Sequence, residues 1–363
     1  MEQPNKSYLC TIFLIFNRFA LMIGQTSILV IYTGGTIGMV QDPKTMTLRP
    51  LTFDILYKYL PVLENFNCKI DFYTFEPLLD SSNMNPGFWI HLASVIGEKY
   101  EDYDGFVVLH GSDTMAYTAS ALSFMLENLN KPVIFTGSQL PIGMVRTDGR
   151  ENFINSIEIA AAKEFDTPMV PEVAICFENK LYRGNRTSKL NAENFKAFVS
   201  GNYPLLGEVG VHIRYYRDLI MRPNFKKLKV SLELDENISI LKLFPGISPS
   251  TVDAILTTKG LKAVILETFG AGNAPTVPWF LEQLRDAVNR GIIVFNVTQC
   301  KGGTVEMGKY ETSAGLGKIG VIGGYDITTE SAVTKLMYLL GCGYSTDSVK
   351  QLLQTSLRGE MTV

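Results

Sequence analysis

The chain has 363 residues, 46% of them hydrophobic and 19% charged, with a formal net charge of -3. That length suggests about two domains, and the composition is that of an ordinary globular protein, which excludes a disordered or fibrous chain. So small a charge offers no surplus for phosphate backbones or anionic lipid, and neither nucleic acid nor a membrane is expected as a partner.

Residues 8–23 are apolar except for Asn17 and Arg18, with Lys6 in front. A membrane span needs about 20 apolar residues without a central arginine, so none is expected here. A leader peptide is an alternative, although residues 24–27 offer no clear small-residue cleavage site. The preferred reading starts translation at Met22, makes 1–26 an extension without a folding role, and places the protein in the cytoplasm. Five cysteines (Cys10, Cys68, Cys176, Cys300, Cys342) include no C-x-x-C pair and read as reduced, buried thiols, in keeping with a cytosol. His91, His110 and His212 lack the paired spacing of a zinc site, so no structural metal is expected.

Beyond residue 26, short β-branched runs alternate with amphipathic stretches, the pattern of a parallel sheet flanked by helices. Strands are predicted over 27–32, 71–75, 105–109, 133–135 and 173–177, and helices over 115–129 and 151–163. Residues 215–235 turn charged and aromatic around Pro223 and read as a linker. A second α/β unit follows, with strands over 238–243, 263–268 and 292–297 and helices over 279–289, 330–340 and 346–357. The predicted architecture is therefore two α/β domains: a larger N-terminal one of 27–216, with a mostly parallel sheet flanked by helices, a linker over 217–237, and a smaller C-terminal one of 238–363.

Several strands run directly into polar clusters, at the edge of an open α/β sheet where ligands bind. Thr33-Gly34-Gly35-Thr36-Ile37-Gly38 follows the first strand and presents two hydroxyls; it reads either as a tight turn or as a close backbone approach to a ligand. His110-Gly111-Ser112-Asp113-Thr114-Met115 sets a hydroxyl beside a carboxylate, equally readable as a helix cap. Phe135 runs into Thr136-Gly137-Ser138-Gln139. Asp80-Ser81-Ser82 could form an Asx turn or hold a carboxylate. A hydroxyl nucleophile needs a base, no G-x-S-x-G elbow is present, and a lysine within 183–189 is a candidate.

Together these segments, with Arg183-Gly184-Asn185-Arg186-Thr187-Ser188-Lys189 and Gly272-Asn273-Ala274-Pro275, resemble the bacterial L-asparaginases, closest to the cytoplasmic type I enzymes, over about 27–360. The resemblance implies a homodimer or homotetramer that hydrolyses L-asparagine to L-aspartate and ammonia without a cofactor, through a threonine-linked acyl-enzyme. It makes Thr36 the nucleophile and assigns Ser112, Asp113 and Lys189 to the proton relay. Asp113 would also hold the substrate's α-ammonium, while Ser81, Ser82 and the backbone near Asp80 receive its α-carboxylate and Asn273 reaches a neighbouring subunit's site.

Three positions depart from the family pattern. Ser112 stands where relatives carry threonine, and keeps the hydroxyl. Residues 39–48 lack the usual lid tyrosine, with Thr45 or Met46 nearest its place. The arginine with which some relatives bind a second, regulatory asparagine is Glu267 here. The alternatives are a broader asparaginase/glutaminase, the related subunit of a tRNA-dependent amidotransferase, whose extra N-terminal domain has no room before residue 27, and a non-catalytic amino-acid-binding protein of the same fold.

Overall fold

The computed structural model describes residues 25–41, 48–50, 59–308 and 311–363. The expectations for the first 24 residues, Cys10 among them, and for Thr45 and Met46 lie outside the described residues.

Five strands, β1 (Ser27–Tyr32), β2 (Lys69–Thr74), β3 (Gly105–Leu109), β4 (Val133–Thr136) and β5 (Val173–Phe177), pair in parallel in the order β2-β1-β3-β4-β5. Three antiparallel strands, β6 (Lys180–Arg183), β7 (Gly207–Val209) and β8 (Ile213–Tyr215), extend the β5 edge. Side chains alternate across the sheet, as the two-residue strand period requires. Leu29, Ile31, Phe106 and Val108 enter one core with helices α1 (Pro86–Glu98) and α2 (Met115–Met125). Ile28, Val30, Val107 and Leu109 enter the other with α3 (Gly149–Ala161). Helix α1 starts where Asn85 accepts a bond from the Phe88 N–H and Pro86 occupies the first turn, where its missing donor costs nothing.

The second unit is a smaller parallel sheet, β9 (Ile238–Lys242), β10 (Ala263–Thr268), β11 (Ile293–Thr298) and β12 (Ile322–Gly323), paired in chain order. Helices α4 (Pro249–Leu256), α5 (Pro278–Asn289) and α6 (Glu311–Ile319) precede α7 (Thr329–Gly341) and α8 (Thr346–Leu353). The two α/β units expected from the sequence, the larger first, are thus the observed architecture.

Helix α2 joins them. All its residues except Tyr117 are buried, as befits a helix covered on every side. Phe124 belongs to the core of the second unit and stacks on Tyr338 of α7 with centroids 6.0 Å apart.

Several details correct the sequence reading. The helix expected over 115–129 stops at Met125, because Leu126–Glu127 pairs antiparallel with Lys229–Val230. That pairing also draws part of the expected linker into the fold. The helix expected over 151–163 begins two residues earlier and ends at Ala161, with Lys163–Glu164 opening a hairpin. The four described cysteines are free, and Cys68 and Cys176 are buried, but Cys342 is half-buried and Cys300 exposed. Among the described residues, no helix is long and apolar enough to cross a membrane.

Candidate active site

The strand order reverses at β1, whose chain continues to β2 on one side while β3 continues to β4 on the other. The loops leaving β1 and β3 therefore diverge and leave a crevice at the carboxyl ends of the strands. Both polar segments predicted to matter, 33–38 and 110–115, occupy that point.

Thr33 seams the two strand ends together, since its N–H and Oγ1 both donate to the Leu109 carbonyl, at 3.0 and 2.9 Å. Its own carbonyl accepts from the Leu79 N–H at 3.0 Å, which brings in the 79–82 segment. The next two positions need glycine. Gly34 has φ +129° and a Cβ there would lie 2.0 Å from the Leu79 carbonyl oxygen; Gly35 has φ +86° and its Cβ would lie 2.5 Å from the backbone of Gly111. A left-handed backbone in such close contact admits no side chain. The chain then turns through a short 3-10 helix, Thr36–Gly38, closed by the Tyr32 hydroxyl donating to the Gly38 carbonyl at 2.7 Å. Thr36 is half-buried at the head of that turn, directly after the glycine that touches Gly111.

The Asp80 carboxylate accepts from the N–H and hydroxyl of Ser82 at 2.8 and 2.7 Å, an Asx turn at the start of a short 3-10 helix. The backbone and hydroxyl bonds from Ser82 hold the Asp80 carboxyl below its ordinary pKa. Ser81 is buried beside Gly111, and its carbonyl accepts from Thr114 Oγ1 at 2.7 Å. Asp80 is thereby committed to Ser82, which it orients at the rim of the crevice.

The structure brings Ser112, Asp113 and Lys189 together. Lys189 ends a two-residue strand, Ser188–Lys189, paired with Phe198–Val199. Its Nζ donates to Ser112 Oγ at 2.8 Å and to Asp113 Oδ1 at 2.5 Å. The Lys189 side chain is 16% exposed and that of Asp113 65%, so the hydroxyl and lysine lie inside while the carboxylate faces the opening. Proton exchange between Ser112 Oγ and Lys189 Nζ needs no rearrangement at this separation.

Residues not singled out by the sequence complete the setting. Gln139 lies 3.4 Å from Ser112 Oγ through its side-chain oxygen, and its amide donates to the Asn194 carbonyl at 3.0 Å. Its signal was the polar cluster that ends β4. Buried His110 lies 2.7 Å through Nδ1 from the Gly111 carbonyl and 2.9 Å through Nε2 from Thr118 Oγ1, which also accepts from the Trp89 indole N–H at 3.0 Å. These contacts fit a neutral ring with the proton assigned to Nδ1. Burial pulls the imidazole pKa down to about 4. The network fixes the backbone that presents Ser112 and Asp113.

Asn273 lies in the second unit, in the turn after β10, where its backbone exchanges hydrogen bonds with Phe269 at 2.9 and 3.0 Å. Glu267, buried near the end of β10, accepts from Lys242 at 3.0 Å and from Thr329 at 2.6 Å.

Comparison with known proteins identifies the family. The model of the N-terminal asparaginase domain matches residues 27–221 and that of the glutaminase/asparaginase C-terminal domain matches residues 237–353. The chain belongs to the asparaginase family. L-asparaginase 1 of Escherichia coli (strain K12) is 44% identical over 342 residues, covering 93% of this chain and 98% of that protein. The crystal structure of L-asparaginase I from Vibrio cholerae superposes with a TM-score of 0.85 at 42% identity, covering 94% of this chain and all of that one. A 60 kDa lysophospholipase of Homo sapiens is 41% identical over 93% of this chain and 62% of its own length. The two family models thus account for residues 27–221 and 237–353, with the polar segments at the sheet's reversal point.

Proposed function

We propose that this asparaginase-family chain hydrolyses L-asparagine to L-aspartate and ammonia, with Thr36 as nucleophile. The observation that carries the reading is the Lys189 Nζ shared between Ser112 and Asp113 beside the turn that presents Thr36. Thr36 Oγ1 attacks the side-chain amide carbon, and its proton passes through Ser112 Oγ to Lys189 Nζ, which accepts it as a neutral amine and becomes an ammonium by doing so. Collapse of the tetrahedral adduct breaks the carbon–nitrogen bond, and the departing nitrogen takes up a proton as ammonia. Water then attacks the acyl-threonine, its oxygen leaving in aspartate and its proton passing through the same relay to Thr36 Oγ1. Backbone N–H groups of the glycine turn stabilise the oxyanion in both steps. Exposed Asp113 suits an α-ammonium, and Ser81 supplies a hydroxyl and an N–H for an α-carboxylate, those of Ser82 being engaged by Asp80.

Within this reading, residues 27–216 carry the chemistry, 217–237 connect, and 238–363 form the second domain of a cytoplasmic homodimer or homotetramer, where Asn273 serves a neighbouring site. With the Glu267 carboxylate engaged by Lys242 and Thr329, asparagine saturation is hyperbolic. The test is ammonia release from asparagine and glutamine. A kcat/KM at least tenfold higher for asparagine supports the reading, whereas near-equal values indicate a broader amidohydrolase. Binding of asparagine without turnover would indicate a binding protein.

A further inference from the structure

The residues that lead from β6 to Lys189 are polar, yet Arg183, Asn185, Arg186, Thr187 and Ser188 are all buried. Buried guanidinium groups are tolerated only when paired and hydrogen-bonded, so their partners locate what holds the segment. Arg183 is held mainly within the first unit, by Glu172 at 2.7 Å and the Leu219 carbonyl at 2.8 Å, with one Nη also reaching the Gly359 carbonyl at 3.5 Å. Arg186 is held from elsewhere. Its Nε donates to the Gly359 carbonyl at 2.7 Å, one Nη to Thr362 Oγ1 at 3.0 Å, and the other lies 2.8 Å from Asp326. Asn185 donates to the Arg358 carbonyl at 2.9 Å.

The 358–362 segment is itself fastened to the second unit. Fully buried Glu360 pairs with fully buried Lys335 of α7 at 2.6 Å and accepts from the N–H groups of Leu357 and Arg358. Lys335 also donates to the Thr355 carbonyl, and the Thr362 N–H donates to Asp326. A continuous set of bonds therefore runs from α7 through 358–362 to Arg186, three residues before Lys189.

We propose that residues 358–362 are a positioning strap that sets Lys189 against Ser112 and Asp113, acting through Arg186 and Asn185. Among the described residues, the hydrogen bonds and ion pairs of 358–362 do not involve Ser112, Asp113 or the 80–82 turn, so its loss affects the orientation of the lysine, not the groups that bind substrate. This inference rests on the relay role of Lys189.

The test compares Arg186→Lys, Thr362→Val, Thr362→Ser and Lys189→Met in the full chain, measuring kcat and KM for asparagine well below each melting temperature. Arg186→Lys keeps a cation for Asp326 but cannot also reach Gly359 and Thr362 in fork geometry. The expected result is a kcat at least tenfold lower in Arg186→Lys and severalfold lower in Thr362→Val, with KM changed less than threefold, and a normal kcat in Thr362→Ser. Wild-type kcat in folded Arg186→Lys, with Lys189→Met inactive, would overturn the strap alone. A lowered melting temperature with unchanged kcat would do the same, by showing a purely structural role. Turnover in Lys189→Met would overturn the relay reading beneath it.

Discussion

Lys189 has two partners and one position from which to serve both, and that constraint gives the sharpest expectations at the scale of single residues. Lys189→Met keeps the length and packing of the stem but removes the proton-transfer group, and kcat should fall about a thousandfold, within the range for general acid–base groups. Thr36→Ala should reduce turnover to background while asparagine still binds, as calorimetry would show. His110 yields a pH dependence. Its ordinary pKa of 6.5 falls to about 4 in the folded protein, so below pH 6.5 the unfolded chain takes up a proton that the folded chain refuses. The stabilisation is complete above pH 6.5, declines as pH falls and is lost by about pH 4, a difference of about 3 kcal/mol. Denaturant titrations of wild type and His110→Gln at pH 7 and 4.5 should show the smaller acid loss in the variant; equal losses would refute this account of the ring. Neither the His110 chain of contacts nor the approach of Thr114 to Ser81 was legible in the sequence, because both depend on partners 8 to 33 positions away.

At the scale of elements, the glycine turn after β1 is the part most exposed to change. Gly35→Ala places a methyl against Gly111 at a φ of +86°, so it should cost more than about 1 kcal/mol in urea denaturation. It should also lower kcat/KM by moving Thr36, and wild-type stability and activity together would contradict the packing described. The strands β1, β3 and β5 were legible because each is a nearly continuous apolar run broken at once by polar residues or glycine, Thr33-Gly34 after β1, His110-Gly111 after β3 and Glu178-Asn179 after β5. Strands β6, β7 and β8 escaped notice, being three or four residues long and of mixed polarity. Helix α1 escaped too, although Asn85 and Pro86 are a start signal, because its apolar positions run nearly all round.

For the whole molecule, the two units share α2, and Phe124 is where the cores meet. Phe124→Ala should cost about 3–5 kcal/mol, the range for emptying a buried aromatic position. Because α2 belongs to both cores, wild type and variant should each unfold in one transition; a separate early transition of the second unit would show that the helix does not couple them. The site was legible as separate polar segments, and the strand order explains why they meet: β1 and β3 are adjacent at the reversal point although about 75 residues separate their ends. What brings Lys189 there is less visible in the sequence, since its approach depends on buried contacts with residues more than 170 positions away. The most direct test of the central claim is ammonia release from asparagine and from glutamine by purified wild type, with Thr36→Ala as its control. The account requires asparagine-selective, hyperbolic release that vanishes in the variant; release that persists without Thr36 would contradict it.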